Sequence, residues 1–402
     1  MRLNHPDGTV VHLAYCTNVH PAEDLAGILA QLDTFAAPVR ATLDADVLGL
    51  GLWLAAPVAA ALAADRALRV LLRRELDARG LEVVTFNGFP YQTFHAPVVK
   101  HAVYRPDWTD RRRLDYTLDL ALILADLLPD DAARGSISTL PFGWRTPWGT
   151  AEADGAARLL DDLARGLARQ HRAIRVAVEP EPGCVVETTP QAIAALSGVD
   201  PDRIGLCLDL AHLACAWEDP ARAVASLAAA GVPVVKTQVS AALEVTDPRG
   251  AADILSGYAE PRFLHQTRTR AGAAYDDLPE ALAADPDGPW RVHFHVPIHA
   301  APEPPLSGTT PVLRAGLAAL VGGPVALCDH LEVETYTWNV LPADRRPRDD
   351  AALVAGIAAE VAFAHRELLD LGLTPEGSAP ASPDPGAEPA ASDRTGTVAV
   401  TR

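Results

Sequence analysis

Four stretches of the chain end an apolar run in groups that bind divalent metals. They are residues 175–182, with Glu179 and Glu181; 204–212, with Asp209 and His212; 291–297, with His293 and His295; and 331–338, with Glu332 and Glu334. Carboxylate oxygens and imidazole nitrogens suit Mg²⁺, Mn²⁺, Co²⁺ or Zn²⁺. Side chains alternate along a strand, so Glu179 and Glu181 share a face, as do Glu332 and Glu334. If the runs are strands of one parallel barrel, their ends converge at a single mouth, where barrel enzymes keep their chemistry. The inward face of a barrel is mostly aliphatic, and an ionised carboxylate there needs a cation or strong hydrogen bonds. A single such Glu is better explained by an outward orientation or by a bond to Arg175 or Arg291. Four strand ends together favour an ion.

The expected cluster is Glu179, Asp209 and Glu334, completed by His295 or Gln238, with His212 and Glu181 close by. Pro180 can turn the strand end and bring Glu181 inward, so the choice within each pair stays open. In Asp209-Leu-Ala-His212 the Asp ends its strand and the His lies in the turn entering a helix. One can act as ligand and the other as substrate contact or orienting partner, although such pairs also occur in capped turns.

The aromatic-rich loop of residues 86–95 carries Asn87, Phe89, Tyr91 and His95 and should overhang the same mouth. Tyr15, Asn18 and His20 come from the first strand end and its loop, and Trp53 from the second. With His293, Glu332 and Trp338, they form the expected substrate wall. An aromatic wall with scattered hydrogen-bonding groups suits a polyol or another partly apolar small molecule. Lys100, Tyr104, Arg105 and Trp108 are expected further out.

The elements that must position these groups alternate almost to residue 372. Strand-like runs at residues 12–18, 47–54, 81–86, 136–140, 175–179, 204–209, 232–239 and 331–337 are separated by helix-like stretches. Eight strand–helix units favour a closed (β/α)8 TIM barrel. No Gly-x-Gly-x-x-Gly follows the first strand to support the alternative, a doubly wound open sheet. The run carrying His293 and His295 is a ninth candidate. It is read as a strand inserting into or abutting the barrel, within an elaboration over residues 241–299. Thr109 and Thr189-Pro190 are read as helix caps, and one helix is expected from Pro57 to Gly80. Residues 1–372 form the barrel, and 373–402, rich in Pro, Ala, Ser and Gly, should be a disordered tail.

The formal charge of −18 over 402 residues argues against a nucleic-acid partner and makes a metal-dependent phosphoesterase the least favoured function. Five cysteines without metal-finger spacing read as free thiols in a reducing compartment. Met1 is followed by no basic-then-apolar leader, and no apolar stretch is long enough to span a bilayer. These features together predict a cytoplasmic protein.

The order Glu179, Asp209-x-x-His212, then a terminal-strand Glu resembles the xylose isomerase-like barrel superfamily of sugar and sugar-phosphate isomerases and epimerases. Residues 85–95, 103–108, 178–183, 293–297 and 332–338 resemble the EboE type of metabolite traffic protein within it. The resemblance implies a divalent ion and a small hydroxylated metabolite. Glu179 or Glu334 would move a proton, with His212 beside it. Membrane-protein partners of a metabolite-transport system are also implied. One departure is visible: the superfamily's isomerases place a His ligand on the seventh strand, where this chain has Gln238. A Gln carbonyl contributes no charge, so either affinity falls or His295 substitutes. A non-catalytic carrier on the same barrel is the alternative function.

Overall fold

The computed structural model describes residues 1–377. Eight parallel strands close into a barrel: β1 (Val10–Cys16), β2 (Leu48–Leu52), β3 (Leu81–Asn87), β4 (Gly135–Thr139), β5 (Ile174–Val178), β6 (Ile204–Asp209), β7 (Val234–Val239) and β8 (His330–Val333). Each pairs in parallel with the next, and β8 closes on β1 with His330 opposite His12 and Glu332 opposite Ala14. The TIM barrel expected from the alternating pattern is therefore the fold. Its main core lies between the strands and the surrounding helices.

Helix starts follow Asp more often than Thr. Asp24, Asp65, Asp110, Asp219 and Asp349 each accept a hydrogen bond from a backbone N–H of the first turn, the favoured N-cap arrangement. This moves one expected cap from Thr109 to Asp110. Another moves from Thr189 to Thr188, which forms a capping box with Gln191. The expected single helix after Pro57 is two, Ala56–Ala64 and Arg66–Asp77, because Asp65 leaves helical geometry to cap the second.

The elaboration follows β7 and is an antiparallel sheet. Its strand order is Ala274–Tyr275, Thr267–Thr269, Trp290–Val292, Leu243–Val245, Ser307–Gly308. It runs past the expected limit of 299, and the barrel resumes with the helix Thr310–Val321. His293 and His295 were expected on a strand, but the strand ends at Val292. Phe294 N–H bonds to the Val292 carbonyl (2.7 Å), turning the chain out of the ladder just before the second His.

A further element lies outside the barrel ring. Arg2–Asn4 pairs antiparallel with β1, and Thr374–Pro375 pairs with Arg2–Asn4. The first residues assigned to the tail are thus held in the sheet; residues 378–402 lie outside the described residues. No described helix is long and apolar enough to cross a membrane, and all five cysteines are free and buried.

The barrel interior is more polar than the aliphatic packing expected. Ser136 Oγ donates to Thr85 Oγ1 and lies 2.8 Å from His330 Nδ1, while His12 Nδ1 lies 3.4 Å from Glu82 Oε1. Glu332 forms a fully buried ion pair with Lys236, whose ammonium also donates to the Phe86 carbonyl. Gly51 on β2 makes room for this pair, since a Cβ there would lie 1.4 Å from Glu332 Oε1. We expect Gly51→Ala to destabilise the fold by about 3 kcal/mol, the cost of disrupting a buried ion pair. Urea denaturation of metal-free protein measures it, and an unchanged midpoint would contradict the assignment.

Candidate metal centre

The mouth gathers side chains from strand ends far apart in sequence. Glu179 follows β5, Asp209 ends β6, Glu334 follows β8, and His212 lies in the short helix Leu210–Cys215. His293 and His295 arrive from the elaboration. Their ligand atoms form three overlapping triplets, each with all separations within 4.8 Å: Glu179–Asp209–His212, Asp209–His295–Glu334 and His212–His293–His295. All of these residues are buried.

Hydrogen bonds fix what each group has left to offer. Asp209 Oδ1 accepts from the His212 N–H (2.8 Å) and Ser240 Oγ (2.9 Å). Its Oδ2 is buried without a partner, 3.9 Å from both His212 Nε2 and His295 Nε2. Glu334 Oε1 accepts from Asn18 Nδ2 (2.8 Å) and Asn87 Nδ2 (2.7 Å). Glu179 Oε2 and His295 Nε2 are likewise buried and unpartnered. Each imidazole has Nδ1 against an oxygen: His212 on the Pro180 carbonyl (2.8 Å), His293 on Gln266 Oε1 (2.8 Å), His295 on the Glu334 carbonyl (2.7 Å). Nδ1 therefore carries a hydrogen in all three. His295 Nε2 presents its lone pair, the arrangement of metal-ligating histidines, while the Nε2 atoms of His212 and His293 share one hydrogen between them that an ion would displace.

Buried polar atoms rarely go unpaired, and here one is left on each of Glu179, Asp209 and His295, which two triplets overlapping at Asp209 link together. His212 Nε2 and His293 Nε2 are 2.9 Å apart. Two nitrogens at that spacing, each about 2.0–2.1 Å from an ion, would subtend about 90° at it. The cluster fits a divalent ion.

Electrostatics point the same way. Burial, then Asp209, pushes the Glu179 carboxyl up to about 7. Burial, then Glu179 and Asp209, holds Glu334 well above the carboxylate range. Burial lifts Glu181 to about 6. It also lowers His295 to about 4 and His293 well below its usual value, favouring neutral, ligand-competent rings. For His212 burial pulls down, but Asp209, Glu181 and Glu179 together outweigh it and raise the ring. Carboxylates crowded this way repel each other, and a cation reverses the sign of that crowding.

The cluster forms one end of a narrow cavity with ≈ 50 Å³ of space for water-sized molecules. Asn18, Asn87, Phe89, His212 and His293 line it as expected. Others lie elsewhere. Tyr15 points to the helical layer, its hydroxyl 3.3 Å from His20 Nε2, and His20 stacks on Phe35. Cys16, one residue on, faces inward to Asn87. Trp53 donates from its indole to the Pro90 carbonyl, and His95 Nε2 lies 2.8 Å from the Asn18 carbonyl. These two brace the wall from behind. Tyr91 packs on Tyr116, and Trp338 donates to Glu360 Oε2 beside a different cavity. Glu332 is spent on Lys236. Gln238, in register with Asp209 and Glu332, is fully buried; both its amide atoms are unpartnered and it does not line the cavity. Glu181 joins none of the triplets; the Tyr104 hydroxyl donates to its Oε1 at 2.6 Å. Tyr104 is therefore in the wall, not further out.

Phe94 lines the cavity from the loop expected there, while sequence reasoning missed Phe263, Leu264 and Tyr336 in the wall, and Gln266 and Ser240 behind the cluster. Phe263, Leu264 and Gln266 come from the elaboration, where no periodicity marks which residues turn inward. Glu360, in the last helix, was also missed. It accepts from Ile298 N–H (3.0 Å), Thr335 Oγ1 (2.6 Å) and Trp338 Nε1 (2.9 Å), tying together the segments that carry His295 and Glu334. Glu360→Gln puts an amide donor against one of these donors. It should cost about 1–3 kcal/mol, read by chemical denaturation; an unchanged stability would show that the tie is idle.

Fold and site together define a (β/α)8 barrel protein with a mouth able to coordinate a divalent ion. Residues 41–269 match the family described as xylose isomerase-like TIM barrel, and the chain belongs to it. Among solved structures it is similar to a putative sugar phosphate isomerase/epimerase from Anabaena variabilis (16% identity, 90% of this chain and 99% of that one, TM-score 0.50). A xylose isomerase-like TIM barrel protein from Mycobacterium smegmatis in complex with magnesium is also similar (13%, 89% and 98%, TM-score 0.49). So is a D-allulose 3-epimerase from Methylomonas sp. in complex with D-allulose (12%, 91% and 100%, TM-score 0.49). No curated protein matches significantly.

Proposed function

We propose that the protein is a divalent-metal-dependent isomerase or epimerase acting on a small hydroxylated metabolite. The observation that carries this is the triplet Asp209, His295 and Glu334, whose ligand atoms lie within 4.8 Å of one another. In it Asp209 Oδ2 and His295 Nε2 are buried and unpartnered, and Glu179 is joined to it through an overlapping triplet on Asp209. Asp209, His295 and Glu334 would hold the ion, with His295 taking the place that Gln238 leaves without an imidazole and Glu179 beside them keeping its unpartnered Oε2 for the substrate. The bound ion would polarise a substrate carbonyl as a Lewis acid. Glu179, whose Oε2 has no hydrogen-bond partner, takes the proton from the carbon beside that carbonyl and returns it. Phe89, Phe94, Phe263 and Tyr336 line the same cavity and keep water from the reacting carbon.

The lining supports a neutral substrate over a phosphorylated one. Its sole Lys or Arg is Lys100, which is committed to Asp277 (2.5 Å). A phosphate entering between Glu179, Glu181 and Glu334 would find repulsion and no free cation of the chain. The stretches that resemble the EboE type include residues lining this mouth, and a role in metabolite traffic rests on that resemblance.

Gln238 favours a second reading, a carrier that binds the metabolite without turning it over. The test is elemental analysis of purified protein, followed by solvent-deuterium exchange into candidate ketoses. Bound metal with exchange supports the enzyme. Ligand-induced thermal stabilisation without exchange supports the carrier, and no metal with no exchange removes the isomerase.

A further inference from the structure

Two chain segments that wall the metal-binding mouth continue directly into a second cavity of ≈ 150 Å³. His293 and His295 face the mouth, while Val296, Pro297 and His299 line the second cavity. Glu334 and Tyr336 face the mouth, while Trp338 and Leu341 line the second cavity. Much of its lining is apolar, from Val296, Pro297, Pro302, Trp338 and Leu341, and a space of about this size holds one benzene ring. The Trp338 ring is fixed as one wall because its N–H is held by Glu360.

Three polar groups face the space. Tyr258 lines it, and its hydroxyl has no hydrogen-bond partner among the described residues. His299 lies in near-parallel orientation to Trp338 (24°, centroids 6.2 Å apart). Arg345 is exposed and donates through Nη1 to the Ala301 carbonyl (3.1 Å). Arg345 forms no ion pair among the described residues, so most of its guanidinium donors remain available. An apolar slot of one-ring size with a free guanidinium at its rim is complementary to a flat ring bearing an anion.

We propose that this cavity is a binding site for a single-ring aromatic carboxylate, the ring against Trp338 and Pro297 and the carboxylate on Arg345. The Tyr258 hydroxyl donates to the same acid. The site uses none of the groups assigned to the ion and stands independently of the isomerase reading.

The probe is 4-fluorobenzoate, followed by fluorine NMR on the full chain, with and without a chelator. Saturable binding is expected with a dissociation constant on the order of millimolar, as for a fragment of this size. Arg345→Gln, a change at an exposed position, should weaken it about tenfold or more, and Tyr258→Phe by less. Uncharged 4-fluorobenzyl alcohol should bind about as weakly as the acid does to Arg345→Gln. Absence of saturable binding would overturn the proposal, as would equal affinity in Arg345→Gln. Loss of binding on chelation would also overturn it, because the acid would then be sitting on the ion at the mouth. A protein without any bound metal leaves this test intact.

Discussion

Asp209→Asn will remain folded and lose its divalent ion, with affinity falling by more than about 100-fold. That figure is the upper end of what changes to groups supporting a metal ligand cost, and here a ligand itself changes. The substitution is isosteric and keeps Oδ1, which accepts from the His212 N–H and Ser240 Oγ. The start of the helix Leu210–Cys215 is therefore preserved. What is lost is the charge and the free lone pair of Oδ2, the atom 3.9 Å from both imidazoles. Elemental analysis and calorimetric titration measure this, and retained metal would remove Asp209 from the centre.

The same variant carries a sign test. Without metal, Asp209 is a like charge that helps push Glu179 up to about 7, so Asn should make the metal-free protein more stable at neutral pH. The gain is about 1.4 kcal/mol for each pKa unit relieved. With metal the order reverses: the wild type gains about 2.7 kcal/mol at a hundred times its dissociation constant, and the variant gains little. The pH dependence follows from linkage. Glu179 is protonated in the native state up to about 7 but ionises near 4.5 when unfolded. Between those values the native state binds more protons at Glu179, so the Glu179 contribution to metal-free stability falls as pH rises, while His295, lowered to about 4, contributes in the opposite direction. Saturating metal should flatten that slope.

How much of this was legible in sequence depended on strand parity. Glu179, Asp209 and Glu334 sit at the ends of long apolar runs, where alternation and position agree, and the structure brings them together. Tyr15 shows the limit. It belongs to the same run as Cys16, and the two point to opposite faces; nothing local says which is inward until β8 has closed on β1. Glu332 and Glu334 share a face as expected, yet two residues of depth separate mouth from interior, and Lys236 claims the deeper one. That pairing depends on Gly51 across the barrel, a contact with no local signal. His293 and His295 were visible as chemistry but not as geometry, because the antiparallel elaboration that delivers them has short strands and irregular turns.

Glu179→Gln should lower exchange of the carbon-bound substrate proton by about 10²- to 10⁴-fold, the usual contribution of a general base. Gln retains a carbonyl oxygen, so at saturating metal the ion should still bind, unlike in Asp209→Asn. The loss should fall on the rate at saturating substrate, with substrate affinity little changed, because the amide still fits the site but cannot accept the proton. Glu334 is the other carboxylate within reach, but its Oε1 is held by two amide donors, while Glu179 Oε2 has no partner. A buried oxygen without a partner can take up and release a proton with little reorganisation. If Glu179→Gln exchanges at the wild-type rate while Glu334→Gln does not, the base is Glu334. If the wild type binds the metabolite and neither wild type nor variant exchanges, the barrel is a carrier. Its carboxylates then serve only to hold the ion against which the ligand docks.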